Sequence, residues 1–234
     1  MRPDVERSGV DIITLDAPTV LREAERRVRQ LPEISESFKR TDAEALEGCL
    51  TQASEVVRDH ARPAGIFLAR QARHEGGTLC IGRARVRNAA LRKHIPPGRR
   101  VGLYLATTGY TNMAIFEAVQ RDYVAYHFQH YFSLQLLYSA ANRLHMEILR
   151  REKREYVRYS ILERAARNWQ GGSEHERSDG LQLYWDAKAI AELFAEFDPN
   201  PLGVTLTEAG GLNPVYSLLG ILAEKHKHGT PSRT

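Results

Sequence analysis

The chain has 234 residues, of which 42% are apolar and 26% charged, enough to bury a sizeable core in one large domain or two small ones. Its 33 basic residues against 29 acidic ones leave a net charge of +4, too mild for a dedicated nucleic-acid binder, and no run of 18 apolar residues is available to cross a membrane. Two cysteines, Cys49 and Cys80, exclude a disulfide framework and a thiolate-rich zinc site, and the start Met1-Arg2-Pro3-Asp4 lacks the apolar stretch of a secretory leader, so a reducing cytoplasm is the expected setting.

The elements expected in chain order begin with a short apolar run, Val10–Leu15, and an Arg-rich amphipathic helix over Thr19–Gln30. Thr41-Asp42-Ala43-Glu44 reads as a capping box, with the Thr41 hydroxyl on an orphan helix N–H and Glu44 reaching back. Leu46, Cys49, Leu50, Ala53, Val56 and Val57 then follow at helical spacing, until Pro63-Ala64-Gly65 stops the helix. Ile66–Ala69 and Thr78–Ile81 flank Gly76-Gly77 as an expected strand pair. Asn88 is a candidate cap for a short helix through Leu91 to Ile95, and Val101–Thr108 reads as a buried strand ending at Gly109. From Tyr110 to Gln170 there is no glycine or proline in 61 residues, which predicts helix throughout. A polar loop follows through Gly180. Asp186–Phe197 reads as a helix capped by Asp186, and Gly203–Thr207 as a strand. The expected class is α+β, mostly helical, with a few strands in one sheet.

Two segments point further. Leu206-Thr207-Glu208, then Pro214, Ser217 and Gly220, fall without a gap on a pattern near the end of the activation domain of cobalamin-dependent methionine synthase, which this chain resembles. Val101–Gly109 is similar to that family's apolar strand ending in Ala-Thr-x-Gly, and the order of the two blocks and the long helix between them match as well. The resemblance covers roughly residues 40–221 and divides the chain into an N-terminal extension with a helix (1–40), an activation-domain-like body (41–221) and a flexible tail (222–234). It implies a twisted antiparallel sheet with flanking helices, S-adenosylmethionine as ligand, and a corrin reached only through a separate corrinoid protein. No Asp-x-His-x-x-Gly segment for carrying cobalamin occurs in the chain. The family's S-adenosylmethionine signature, an Arg followed after three residues by Gly-Tyr, is altered here. Arg177 lies one residue too close to Gly180, Leu181 takes the Tyr position, and Tyr184 and Trp185 are the nearby rings.

The candidate catalytic residues are Glu208, which follows a strand and precedes Gly210-Gly211, and His127 and His130, three apart on the long helix. Imidazoles at that spacing can share proton transfer or ligate a metal, but no Glu-x-x-His pattern or third ligand accompanies them, so no tightly bound metal is expected. Tyr126 and Tyr131 flank the pair as candidate ligand contacts, with Arg177, Gly180, Tyr184 and Trp185 from the altered signature and Thr207, Asn213 and Tyr216 from the late block. Glu147 and Glu155 compete for the family's acidic position near the end of the long helix; beside Arg150, Arg151, Lys153 and Arg154 they read equally as a solvated charged face. Three functions follow. One is a stand-alone activation-domain relative that binds S-adenosylmethionine or a related small molecule and serves a corrinoid methyltransferase. Another is the same fold turned to acid/base chemistry on a small molecule in an aromatic pocket, without a corrinoid. The last is a non-catalytic docking subunit, and the long helix also offers a surface for a second copy of the chain.

Overall fold

Ile13, on the short run that opens the described chain, is almost wholly buried, which makes strand pairing the natural fate of that run. In the computed structural model, which describes residues 11–34, 36, 42–87, 91–92, 95–110, 123–160, 187–198, 200–208 and 210–224, this run is strand β1 (Asp11–Thr14). Helix α1 (Ala17–Arg29) follows, its N-terminus capped by the Asp16 carboxylate accepting from the Thr19 N–H. Helix α2 (Ala43–His60) starts one residue later than the capping box suggested: Asp42 is the cap and accepts from the Glu44 N–H at 2.9 Å. The Thr41 half of that box lies outside the described residues, as does Asn88.

Strand β2 (Ala64–Glu75) is three times the length expected of it, because its backbone serves three neighbours. Residues 64–67 pair with β1, 64–71 with β5 (Arg100–Thr107), and 72–75 with β3 (Thr78–Ile81) across the Gly76-Gly77 turn. Both glycines of that turn have positive φ (52° and 83°), where a Cβ is disfavoured. A further hairpin strand, β4 (Ala84–Val86), follows β3.

The breaker-free stretch does not form one helix. Helix α3 (Tyr123–Glu152) ends where Lys153 turns left-handed at φ 52°, and β6 (Tyr156–Ser160) follows within the same stretch. Alternating aromatic and β-branched residues, Tyr156-Val157-Arg158-Tyr159, favour strand over helix there. Residues 111–122 and 161–170 of the stretch lie outside the described residues. Helix α4 (Ala187–Phe194) runs into a 3-10 turn (Ala195–Phe197), with the proposed cap Asp186 also outside. A small hairpin pairs β7 (Thr205–Leu206) with β8 (Leu212–Asn213), and the last described strand, β9 (Ser217–Glu224), enters the main sheet.

Among the described residues, that sheet has seven strands in the order β4-β3-β2-β5-β9-β6, with β1 beside β2, and all their pairings are antiparallel. The fold is α+β, with strand alternation dividing one core into two layers. Phe67, Tyr104, Ala106, Leu218 and Leu222 face α1, α2 and α3, whose buried residues include Val28, Leu50, Val57, Phe132, Leu136 and Leu144. Ile66, Leu68, Leu103, Leu105, Leu219 and Ile221 face the other way, onto β3, β4, α4 and the β7–β8 hairpin. Each of these fully buried Leu or Ile side chains contributes on the order of 1.5–3 kcal/mol, so β5 and β9 form the apolar centre of the molecule. Residues 11–29, assigned above to an extension, pair and pack with this body, and Leu222 and Ala223, assigned to the tail, are buried in β9. Among the described residues, no helix is long and apolar enough to cross a membrane.

Candidate functional site

The two sequence blocks meet where β5 ends and β9 begins. Thr107 pairs with Ser217 in the ladder, and the Ser217 hydroxyl donates to the Thr107 hydroxyl oxygen at 2.9 Å. The same oxygen accepts from the Gly109 N–H at 3.1 Å. Thr108 then uses both its N–H (3.1 Å) and its hydroxyl (3.2 Å) to hold the Tyr216 carbonyl. Gly109 has φ 79°, and a Cβ there would strike the Arg62 carbonyl, while the Arg62 N–H donates to Thr108 O at 2.8 Å. A non-glycine residue at position 109 would therefore be strained and crowded at once.

Tyr216, fixed in this way, projects its ring between Tyr110 and the first turns of α3. Its centroid lies 5.8 Å from that of Tyr110 and 6.0 Å from that of His130, and its hydroxyl shares a 2.9 Å hydrogen bond with His130 Nδ1. One turn earlier on the helix, His127 sits edge-on to Tyr131 at 4.8 Å and 89°, and Tyr131 also lies beside His130. Burial, reinforced by the neighbouring His127, lowers the His130 pKa, which favours the neutral ring. Burial pushes the Tyr216 phenol up to about 12, with Tyr126 adding to the rise. Tyr110 is also raised by burial, although the Ser133 and Thr108 hydroxyls oppose it. At neutral pH the cluster is therefore a set of protonated phenols around an uncharged imidazole. It can pass a proton between Tyr216 and His130, and it has aromatic walls.

Of the candidate residues, the fold brings His127, His130, Tyr126, Tyr131 and Tyr216 together at the head of α3. Thr207, Glu208 and Asn213 lie on the β7–β8 hairpin and are all exposed. Thr207 organises the hairpin turn: its N–H donates to Gly211 O (2.8 Å), its carbonyl accepts from Gly210 N–H (2.9 Å), and its hydroxyl accepts from Gly211 N–H (3.0 Å). Among the described residues, the Glu208 carboxylate has no hydrogen-bond or ion-pair partner. The hairpin leads into the aromatic cluster through Asn213-Pro214, a cis peptide, and Val215. Arg177, Gly180, Tyr184 and Trp185 lie outside the described residues. Glu147 is bound by Arg150 and Arg151, whose hydrogen bonds hold its carboxyl down at about 2, as a charged helix face requires. Among the described residues, no group of three His, Cys, Asp or Glu side chains is placed to hold a metal ion.

Sequence reasoning missed Tyr110, Gln129 and Ser133. Gln129 and Ser133 are fully buried on the core-facing side of α3, one turn apart, and the Ser133 hydroxyl donates to the Gln129 carbonyl at 2.7 Å. The available signal was a polar residue at a position of the apolar stripe that also carries Phe132 and Leu136.

No family model matches this sequence, and no curated protein matches it. Among solved structures, the chain is similar to the MetH reactivation domain in a crystal structure with AdoHcy. The TM-score is 0.54 at 15% identity, over 98% of this chain and 83% of that one. The likeness is one of fold.

Proposed function

We propose that this protein is a stand-alone relative of the methionine synthase activation domain that binds S-adenosylmethionine or a closely related small molecule. Acting in the cytoplasm, it would serve a separate corrinoid methyltransferase. The observation that carries the reading is the fold likeness over nearly the whole chain to a reactivation domain that itself holds AdoHcy. The union of the two motif blocks through Thr107–Ser217 and Thr108–Tyr216 supports it. In this reading the ligand lies against residues 41–221, with Thr207, Asn213, Tyr216 and the zone of Arg177, Gly180, Tyr184 and Trp185 as contacts, and Glu208 as the carboxylate for an ammonium or ribose hydroxyl. Calorimetric titration of the full chain with S-adenosylmethionine and S-adenosylhomocysteine tests it. Saturable heat with either, weakened at least tenfold by Glu208→Gln or Tyr184→Ala, is the expected result. Silence with both ligands rejects the reading.

A second reading is favoured by one observation, the half-buried His130–Tyr216 hydrogen bond with both groups neutral. In it the fold serves acid/base chemistry on a small molecule without a corrinoid. His130 accepts a proton from Tyr216, or from the ligand through it, while His127, Tyr126 and Tyr131 form the outer wall.

A further inference from the structure

Three residues that the methionine synthase resemblance leaves open are joined to one another by hydrogen bonds. Thr108 fills the variable position of Ala-Thr-x-Gly, Tyr216 stands between Pro214 and Ser217 of the late pattern, and His130 lies in neither block. Thr107 and Ser217, which do belong to the blocks, bond to each other as the last pair of the β5–β9 ladder. Thr108 and Tyr216 lie one residue beyond that pair, and Thr108 carries the hold across. Its N–H and its hydroxyl both donate to the Tyr216 carbonyl, at 3.1 and 3.2 Å. The Tyr216 hydroxyl in turn meets His130 Nδ1 at 2.9 Å.

Any residue but proline at position 108 would supply the backbone N–H. The hydroxyl is the part particular to threonine. Thr108 is wholly buried, and a hydroxyl taken out of water costs stability unless it is bonded, whereas valine would fill nearly the same space with no such demand. The hydroxyl is matched to an acceptor, and that acceptor is the carbonyl of the residue whose ring reaches His130. The tether starts from a fixed base: Thr108 O accepts from the Arg62 N–H at 2.8 Å, and Thr107 Oγ1 accepts from the Gly109 N–H at 3.1 Å. The same Thr108 hydroxyl lies beside that of Tyr110, whose ring centroid is 5.8 Å from that of Tyr216. Proton exchange between a phenol and an imidazole needs the two heavy atoms within about 2.6–3.2 Å, so a displacement of about 1 Å breaks it. We propose that Thr108 is a positioning residue: its hydroxyl aims Tyr216 and so keeps the phenol within bonding distance of His130 Nδ1. The proposal rests on the second reading, in which that pair carries acid/base chemistry, and adds to it the residue that sets the geometry of the pair.

The test follows the Nδ1 nitrogen of His130 by NMR of the full chain with isotope-labelled histidine, at a pH above the ordinary histidine range, with His130→Gln identifying the signal. Tyr216→Phe removes the hydroxyl partner and is expected to move that signal. Thr108→Val keeps the backbone bond but loses the hydroxyl, and is expected to reproduce at least half of the movement. Thr108→Ser keeps the hydroxyl and is expected to hold the native position. Thr108→Val combined with Tyr216→Phe is expected to give the Tyr216→Phe signal and no more, because a residue that acts through Tyr216 then has nothing left to act on. Thr108→Ala gives the same reading if the valine variant does not fold. The proposal is overturned if the signal stays in place when the hydroxyl is lost, if Thr108→Ser moves it as far as Thr108→Val does, or if the two changes add. In each of those cases Tyr216→Phe still moves the signal and the second reading stands. A signal unmoved by Tyr216→Phe removes the pair itself, and the second reading falls together with the proposal.

Discussion

Glycine and aromatic side chains share the helix-facing side of the sheet. Gly220 pairs with Tyr104 across β9 and β5, and a Cβ on Gly220 would lie inside the Tyr104 ring. Gly102 likewise makes room for Phe67, and Gly65 for Leu144 of α3. The Gly220 of the late motif is thus accounted for by packing and Ser217 by its bond to Thr107, so those two matches report fold rather than ligand. Gly220→Ala is expected to cost about 1–3 kcal/mol through overpacking, read as a lower urea midpoint with an unchanged slope. Tyr104→Leu in the same background should recover part of that loss. His130 allows a pH test. Its folded pKa lies below its unfolded value, so the unfolded chain takes up the proton first, and the stability it contributes is present above the unfolded value and lost as pH falls. Tm should drop between pH 7 and pH 5, roughly the interval spanning the ordinary histidine pKa, and His130→Gln should flatten that part of the profile. An identical slope in the variant would remove His130 as its source.

At the scale of elements, the junction of α3 and β6 is the most informative. Lys153 closes the helix in a left-handed conformation, its N–H still bonded to Leu149 O at 2.9 Å, at a position where glycine is the usual residue. Lys153→Gly is expected to stabilise the protein by about 0.5–1 kcal/mol, seen as a higher Tm with α3 helicity intact by circular dichroism. This junction also marks a limit of sequence reading. Helix interiors were legible because α1, α2 and α3 carry apolar stripes, and β5 because it is an unbroken apolar run. The end of α3 was not, because the expected punctuation is absent and a lysine takes its place. β2 was read too short for a related reason: Arg70, Gln71, Arg73 and Glu75 give its second half a polar surface, although the backbone stays in the ladder with β3 and Ala72 is buried. In the candidate site, His127, His130, Tyr126 and Tyr131 were legible as one helical group, and the late motif supplied Tyr216. Contact between Tyr216 and His130 spans 86 residues, and only the assembled sheet could reveal it.

For the molecule as a whole, the second layer is tied to the sheet by a buried carboxylate. Glu196, in the 3-10 turn after α4, accepts from Arg70 Nε at 3.2 Å on β2 and from the Arg83 backbone N–H at 2.6 Å in the β3–β4 turn. Gly82 leaves the space that this carboxylate occupies. On the opposite layer, Arg100 of β5 grips Glu152 at the end of α3 at 2.8 Å, so each face of the sheet has its own polar clasp. Between them lies β9, paired along its length with β5 on one side and with β6 on the other. A strand held between two neighbours and supplied by residues 217–224 has a consequence for biosynthesis. While the ribosome is still adding those residues, β5 and β6 have no partner on their facing edges, and Leu103, Leu105 and Tyr104 have no roof beside them. The nascent chain therefore carries an open, sticky seam until residues 217–224 arrive to close it.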